Sequence, residues 1–191
     1  MNRIRCAAIL AGGLSTRMGR DKALLELEGE PLIRRAARIL EPLFERVIVV
    51  TNREEVALAA QIPAVADAHA NKGPLAGIEA VLSYFGEATF IVACDLPYLN
   101  SDFIGFQCQQ WRDELDALVA QSDDGLEPLH AIWAPSALPL VRSSLQAERP
   151  PSLRRVFGGL KGEVVDVAEA RHFDARLRCF ENWNTPADVG T

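Results

Sequence analysis

An apolar run that passes directly into a glycine-rich loop constrains the fold of this chain more than any other stretch. Residues Cys6 to Leu10 are all apolar and read as a buried strand. The following loop contains three glycines, two hydroxyls and two cations that suit phosphate: Gly12, Gly13, Gly19, Ser15, Thr16, Arg17 and Lys22. Glycines let several backbone NH groups point into one concavity, and cations neutralise phosphate oxygens there. The stretch therefore predicts a phosphate-binding loop at the end of a buried strand.

This loop differs from the two commonest nucleotide loops. It lacks the Gly-Lys-Ser/Thr ending of the P-loop, and its glycines do not have the spacing of the dinucleotide-binding fingerprint. An isolated Gly-Gly at a strand exit would indicate only a tight turn with solvated charges. Two hydroxyls, an arginine and a lysine within one short loop favour anion binding instead.

Composition limits the class of protein. The 191 residues, 49% of them apolar, are enough for a substantial core, and we expect a single domain over residues 1–191. The net charge of -6 argues against a nucleic-acid partner, so any phosphate site must be local. No apolar stretch approaches the ~18 residues that a membrane span needs. We therefore expect a soluble protein with no membrane partner.

The cysteines and histidines do not form a metal-binding pattern. The four cysteines are scattered, without a Cys-x-x-Cys pair, and the three histidines lack metal-ligand spacing. No secretory leader is recognised, so the thiols are expected to be reduced in the cytoplasm. Cys6 and Cys94 have apolar strand contexts, which favours a core role over a catalytic one.

Strands and helices alternate through the first half of the chain. Buried strands are predicted at 5–10, 46–50, 63–66 and 89–93, with helices beginning near residues 32, 54 and 74. The second half is predicted to have helices at 102–111, 137–147 and 152–157 and strands at 117–121, 128–133 and 163–167. This order indicates a Rossmann-like, three-layer α/β/α fold with a mostly parallel sheet.

Polar residues follow the predicted strand ends. Gly12, Asn52, Asp67 and Asp95 each lie just beyond a strand, where open parallel sheets bind their ligands. We expect them to share one crevice, although Asn52 and Asp67 taken singly suit turns or caps equally well. Asp95 is the candidate metal ligand, because one carboxylate can hold Mg²⁺ together with phosphate oxygens. A helix or turn cap is its alternative role.

Five ordered motifs resemble a known family. They are Leu-Ala-Gly-Gly-x-Ser-x-Arg-Met-Gly-x-Asp-Lys-Ala-Leu from Leu10, Gly-Pro-Leu-Ala-Gly from Gly73, Cys-Asp-Leu-Pro-Tyr from Cys94, Glu-Pro-Leu-His-Ala from Glu127 and Asn-x-Asn-Thr-Pro from Asn182. Together they resemble the molybdopterin nucleotidyltransferase family, and within it the molybdenum cofactor guanylyltransferases. The resemblance implies a nucleotidyltransferase fold and transfer of GMP from GTP to the terminal phosphate of molybdenum-bound molybdopterin, with release of pyrophosphate.

The resemblance also implies a set of site residues. The residues that would contact GTP are Leu10, Ala11, Gly12, Gly13, Lys22, Asn52, Asp67 and Asp95, with Val50 as the alternative to Asn52. Asp95 would hold Mg²⁺, the implied cofactor. Arg17, Lys22 and Asp95 would be catalytic, because the two cations would take the leaving oxygens while the carboxylate holds the metal. The planar fork of Arg17 suits two phosphate oxygens.

The acceptor side is less specified. The candidate acceptor-binding residues are Pro128, Leu129, Asn182 and Asn184. His130 is explained equally well as a pocket residue or as a core histidine. Arg154 and Arg155 either meet an acceptor phosphate or form the polar face of a helix.

Two rivals to guanylyl transfer remain open. One is a related CTP-dependent molybdopterin or sugar-phosphate nucleotidyltransferase, and the other is a catalytically silent nucleotide-binding module. The presence of Lys22, Asp67 and Asp95 favours an active enzyme. The expected partners are GTP and a molybdopterin-type acceptor. We also expect a monomer that makes transient contacts with other cofactor-biosynthesis or acceptor proteins.

Overall fold

The computed structural model describes residues 4–12, 21–67, 69 and 72–183, and these contain nine strands. They are β1 (Cys6–Leu10), β2 (Glu26–Leu27), β3 (Glu30–Pro31), β4 (Arg46–Val50), β5 (Ala64–Val65), β6 (Thr89–Ala93), β7 (Ala117–Ser122), β8 (Gly125–Trp133) and β9 (Gly162–Val165). Strands β2 and β3 pair only with each other, as a short hairpin. The other strands form one seven-stranded sheet.

The central sheet is parallel except for one strand. Its order is β5-β4-β1-β6-β8-β7-β9, and β8 runs antiparallel to both β6 and β7. The remaining neighbours are parallel. The carboxyl ends of β1, β4, β5 and β6 therefore lie at the same edge of the sheet, together with the start of β8. This confirms the expected mostly parallel sheet, and it brings the strand ends to the edge where a ligand crevice was predicted.

Helices cover both faces of the sheet. They are α1 (Leu32–Leu40), α2 (Glu54–Ala60), α3 (Pro74–Phe85), α4 (Ser101–Gln109), α5 (Leu138–Leu145), α6 (Leu153–Phe157) and α7 (Val167–Phe173). Buried residues of α1, α2, α4 and α7 share one apolar cluster, and those of α3, α5 and α6 share another. The fold is therefore the predicted three-layer α/β/α arrangement. None of these helices is long and apolar enough to cross a bilayer.

The uninterrupted apolar run of β1 follows from its central position. Ala7 and Ile9 face the first cluster, whereas Ala8 and Leu10 face the second. Side chains alternate across a strand, and both faces of this one are covered by helices, so every position must be apolar. Cys6 begins the strand and is also buried, as expected for a core cysteine.

The start of α3 packs unusually close to β1. A Cβ added at Gly77 would lie 3.1 Å from both terminal methyl carbons of Leu10. Gly73, directly before the helix, has a φ of 69°, which favours glycine. Pro74 then occupies the first turn, where its missing NH costs little. The Gly-Pro-Leu-Ala-Gly motif thus serves to bring a helix start against the strand that ends at the site.

Two features of the second half differ from the sequence-based expectation. Strand β9 ends at Val165 rather than at Val167, and the unpredicted helix α7 follows it. Asp166 begins that helix by accepting a 2.8 Å hydrogen bond from the main-chain nitrogen of Ala168. Strand β8 begins at Gly125 rather than at Pro128.

Candidate active site

Lys22 and Asp95 meet at the carboxyl edge of the sheet. The Nζ atom of Lys22 lies 3.7 Å from Oδ2 of Asp95, and the two side chains are 27% and 20% exposed. Burial raises the pKa of the Asp95 carboxyl, and the charge of Lys22 offsets part of that shift. Because Lys22 compensates the buried carboxylate only in part, a further positive charge, such as a metal ion, would stabilise its ionised form.

A capped turn fixes the backbone of Lys22. Asp21 precedes the 3₁₀ turn Lys22–Leu24, and its Oδ1 accepts a 3.0 Å hydrogen bond from the main-chain nitrogen of Ala23. The main-chain nitrogen of Leu25 donates to the oxygen of Lys22 at 3.1 Å. The aspartate of the Asp-Lys pair therefore has a structural reason to stand beside the lysine.

Asn52 and Asp67 connect two neighbouring strand ends. The side chain of Asn52 donates to the main-chain oxygen of Asp67 at 3.1 Å and accepts from its nitrogen at 2.9 Å. Oδ1 of Asp67 accepts a 2.7 Å hydrogen bond from the main-chain nitrogen of His69. The structure thus brings the two residues together, and the hydrogen bond from His69 gives Asp67 the turn role that its sequence context also suited. Their contact with nucleotide stays a prediction.

The backbone that follows β1 lies at the same carboxyl edge of the sheet. Leu10 and Ala11 are buried, and the main-chain nitrogen of Ala11 donates to the oxygen of Val50 at 3.0 Å, so pairing continues beyond β1. Gly12 is exposed, and a Cβ added there would meet no atom of the described residues within 4 Å. Three of the predicted site residues, Gly13, Arg17 and Asn184, lie outside the described residues.

Arg53 joins the site although the sequence analysis did not single it out. Its Nη2 donates a 2.8 Å hydrogen bond to the main-chain oxygen of Ala11, and its Nη1 forms an ion pair with Asp21. The available signal was its place directly after Asn52, at the end of β4. The pairing of β1 with β4 is what brings its partners within reach.

The C-terminal segment reaches the loop of Asp95. The main-chain nitrogen of Trp183 donates to the main-chain oxygen of Asp95 at 2.9 Å. Asn182, next to it, donates from Nδ2 to the oxygen of Phe180 at 3.4 Å. The candidate acceptor residue Asn182 therefore directly precedes Trp183, the residue that contacts the candidate metal ligand.

The start of β8 contributes a second group of candidate acceptor residues. Pro128 and Leu129 are half-buried, and the oxygen of Pro128 accepts a 3.1 Å hydrogen bond from Nε1 of Trp133. Arg154 donates from Nε to the main-chain oxygen of Leu126 at 3.0 Å, so it supports this strand. Arg155 is exposed on α6.

His130 lies in the core and not in a pocket. It is fully buried among the rings of Phe90, Phe103 and Phe180, and its Nδ1 lies 3.0 Å from Oε1 of Gln107. Burial lowers the pKa of this histidine to about 4, so the ring is neutral at physiological pH. Of the two interpretations that the sequence left open, the core interpretation is the one observed.

Glu127 is a further half-buried carboxylate at this edge. Oγ of Ser122 donates a 2.6 Å hydrogen bond to its Oε1. Burial raises the pKa of Glu127, and the serine opposes that shift. The sequence analysis quoted this residue only as part of a motif.

The donor set fits magnesium held jointly with a nucleotide. The described residues contain no group of three or more His, Cys, Asp or Glu side chains arranged to bind a metal ion. Mg²⁺ commonly takes only one or two protein carboxylates and completes its shell with phosphate oxygens and water. Asp95 would supply such a carboxylate.

Comparison with known proteins places this geometry in a family. Residues 7–164 match the family described as MobA-like NTP transferase domain. The chain belongs to this family. The match extends from β1 into β9 and therefore includes the strand ends that carry Lys22, Asn52 and Asp95 to one edge.

Relatives of the MobA-like family support the resemblance that the five motifs indicated. The molybdenum cofactor guanylyltransferase of Syntrophotalea carbinolica is 34% identical, over 95% of this chain and 87% of its own length. The protein named probable molybdenum cofactor guanylyltransferase in Pelotomaculum thermopropionicum is 37% identical, over 95% and 88%. Among solved structures, molybdopterin-guanine dinucleotide biosynthesis protein A from Archaeoglobus fulgidus has a TM-score of 0.83 at 28% identity, covering 96% of this chain and 94% of that one.

Proposed function

We propose that this MobA-like nucleotidyltransferase transfers GMP from GTP to the terminal phosphate of molybdenum-bound molybdopterin and releases pyrophosphate. The observation that carries the proposal is the 3.7 Å approach of Lys22 Nζ to Asp95 Oδ2 at the carboxyl edge of the sheet. A cation that can bind phosphate beside a carboxylate that can hold a metal ion supports the proposal, because nucleotidyl transfer requires both. The names of full-length relatives support the identity of the two substrates.

The reaction needs alignment and charge neutralisation rather than covalent catalysis. An oxygen of the acceptor phosphate forms a bond to the α phosphorus of GTP. The bond between that phosphorus and the oxygen bridging to the β phosphorus breaks, and its electron pair leaves with pyrophosphate. The acceptor phosphate is already a nucleophile, so no serine or histidine has to supply one. The burial of His130 in the core is consistent with this mechanism.

Lys22 and Asp95 would stabilise charge at different places in the reaction. The ammonium of Lys22 would donate to oxygens of the leaving pyrophosphate, where negative charge develops. Asp95 would hold Mg²⁺, which when bound neutralises charge on the phosphate oxygens. The predicted contribution of Arg17 is a second cation on the leaving group.

The backbone at the end of β1 would receive the nucleotide. Leu10 and Ala11 hold this backbone in place through their burial, and Gly12 presents it without a side chain. Asn52 and Asp67 brace the neighbouring strand ends by their reciprocal hydrogen bonds. The acceptor would lie toward Pro128, Leu129 and Asn182.

A panel of nucleotides tests the proposal. Pyrophosphate release is measured with GTP, CTP, ATP and UTP, with and without magnesium and with and without molybdenum-bound molybdopterin. We expect GTP to be the preferred substrate and release to require both magnesium and the acceptor. A preference for CTP would support the cytidylyl alternative, and no release with any nucleotide would support a silent binding module.

A further inference from the structure

Arg53 reaches from the end of β4 to both sides of the predicted phosphate loop. Its Nη2 donates a 2.8 Å hydrogen bond to the main-chain oxygen of Ala11, which precedes the loop. Its Nη1 forms an ion pair with Oδ2 of Asp21, which follows the loop. One guanidinium therefore contacts both flanks of positions 13–20.

The position of Arg53 is unusual for its residue type. It has extended backbone directly before α2, at the N-cap position, where short polar side chains usually bind the first NH groups of the helix. Arg53 makes no such capping hydrogen bond among the described residues. Its main-chain nitrogen instead donates to Oγ1 of Thr51 at 3.2 Å, and its side chain extends toward β1. A local rule broken in this way is typical of a functional position.

Asp21 connects Arg53 to the reacting groups. The Asp21 side chain is only 8% exposed, and its Oδ1 begins the turn of Lys22 by accepting from the main-chain nitrogen of Ala23. The ammonium of Lys22 then lies beside Asp95. The contacts therefore run without a gap from Arg53 through Asp21 to the pair of Lys22 and Asp95.

We propose that Arg53 is a positioning residue that holds the two flanks of the phosphate loop and thereby orients Lys22 toward the phosphates of the nucleotide. This inference rests on the proposed nucleotidyl transfer. Arginine suits the role because its planar fork presents donors in fixed directions to two acceptors at once, whereas lysine is a point charge. Without Arg53, the Asp21 carboxylate is left in a largely buried place without its cation. It then moves toward water or takes up a proton, and either change displaces the turn that carries Lys22.

The proposal separates Arg53 from residues with other roles. The groups that Arg53 orients would contact phosphates and not the base. Loss of Arg53 therefore weakens the binding of every nucleoside triphosphate by the same factor. A residue that reads the base would change the preference between GTP and CTP. A residue that only stabilises the fold would lower the melting temperature and leave the affinity of the folded protein unchanged.

The test compares Arg53→Met, Asp21→Asn and the double variant. Asparagine at 21 keeps an oxygen for the NH of Ala23 and removes only the charge. Arg38→Met is the matched control, because Arg38 is an exposed arginine of α1 that pairs with Glu30. Calorimetry gives the affinity for magnesium GTP and for magnesium CTP, and thermal melting is followed in parallel.

Arg53→Met should lower the affinity for both nucleotides by about tenfold or more, as expected for lost charge-assisted hydrogen bonds. The factor should be the same for GTP and CTP. The double variant should bind no more weakly than Arg53→Met, because the two residues act as one unit. Arg38→Met should bind like the parent. Arg53→Met should also lower the melting temperature, because the Asp21 carboxylate is left largely buried without its cation. Asp21→Asn, which removes that charge, should melt within a few degrees of the parent.

Three results would overturn the inference: parental affinity in Arg53→Met, a changed ratio of GTP to CTP affinity, or additive losses in the double variant. If Arg53→Met does not fold, the affinities of Asp21→Asn test the inference. An equal loss of affinity for both nucleotides supports it, and parental affinity overturns it. A parent protein that binds neither nucleotide contradicts the proposed function and the inference together. Parental affinity in the variants contradicts the inference alone.

Discussion

The main-chain nitrogen of Trp183 donates a 2.9 Å hydrogen bond to the main-chain oxygen of Asp95. The Trp183 ring is 5% exposed and packs with Leu25, Leu32 and Tyr98. Leu25 directly follows the turn of Lys22, and Tyr98 lies on the loop that begins at Asp95. Trp183 is therefore anchored to both of the loops that carry the candidate catalytic pair.

Trp183→Ala should lower the free energy of unfolding by about 3 to 5 kcal/mol, because it removes a buried aromatic ring from this small cluster. Urea unfolding measures the change. Tyr84→Ala is the control, since Tyr84 is 56% exposed, and it should change stability by about 0.5 kcal/mol or less. Equal stabilities of the two variants would show that Trp183 is not anchored as described.

Asp95→Asn should keep the fold and lose most turnover. The variant removes the charge that would hold magnesium, and a loss of about 10²- to 10³-fold in kcat is typical for one such electrostatic contribution. Turnover is measured over a range of magnesium concentrations. The control is Asp102→Asn, an exposed aspartate in the first turn of α4. Parental turnover of Asp95→Asn at limiting magnesium would exclude Asp95 as the metal ligand.

Gly12→Ala should reduce the use of GTP more than that of CTP. No atom of the described residues lies within 4 Å of the added methyl group, so the fold should be unaffected. A base that approaches the backbone at Gly12 would lose about 1 to 3 kcal/mol for each hydrogen bond broken. The ratio of the two kcat/KM values is compared with that of Gly105→Ala, where an added Cβ also meets no atom within 4 Å. An unchanged ratio in Gly12→Ala would place the base elsewhere.

Acid should destabilise the protein through His130. Burial holds the pKa of this histidine at about 4 in the folded protein, below its ordinary value of 6.5. The unfolded chain therefore binds a proton between these values that the folded protein does not bind. The resulting stability is complete above pH 6.5 and is lost as the pH falls to about 4, on the order of 3 kcal/mol in total.

His130→Phe isolates this contribution, because it removes the titrating ring from its aromatic surroundings. The variant leaves Oε1 of Gln107 without its partner, so its absolute stability should be lower and only the pH slopes are compared. Unfolding free energies are measured from pH 7 to pH 4. The slope in His130→Phe should be shallower than in the parent, and equal slopes would contradict the buried neutral histidine.

Local patterns in the sequence predicted the frame of the sheet. The expected strands at 46–50 and 89–93 have the bounds of β4 and β6. After a polar first residue, Arg46 or Thr89, each continues as an uninterrupted apolar run, as strands buried on two faces must. The insertion of β8 between β6 and β7 was not predicted, because strand order depends on long-range packing that periodicity does not encode.

Helix α7 shows where the local pattern was too weak. Among its residues only Ala170 is fully buried, while Val167 packs against the edge of the core and Phe173 contacts Phe106, so the apolar stripe that could indicate a helix is short. The capping residue Asp166 was a usable signal, but the sequence analysis assigned it to a strand that it placed at 163–167. An aspartate cap followed by so short a stripe is common in loops as well, and tertiary packing decided the outcome.

The candidate site also contains residues that local sequence patterns indicate and one that depends on tertiary structure. Lys22 and Asp95 could be predicted because each follows a recognisable strand or loop signal and has a side chain with obvious chemistry. Arg53 could not, since its role depends on Ala11 and Asp21. The pairing of β1 with β4 brings these residues to Arg53, and no local pattern marks that relationship.

The most direct test of guanylyl transfer follows the phosphorus atoms of GTP. The protein is incubated with magnesium, molybdenum-bound molybdopterin and GTP labelled at either the α or the γ phosphorus, and the products are separated. Guanylyl transfer places the α label in the pterin dinucleotide and releases the γ label in pyrophosphate. Release of the γ label as inorganic phosphate, or a pterin product without the α label, would contradict it.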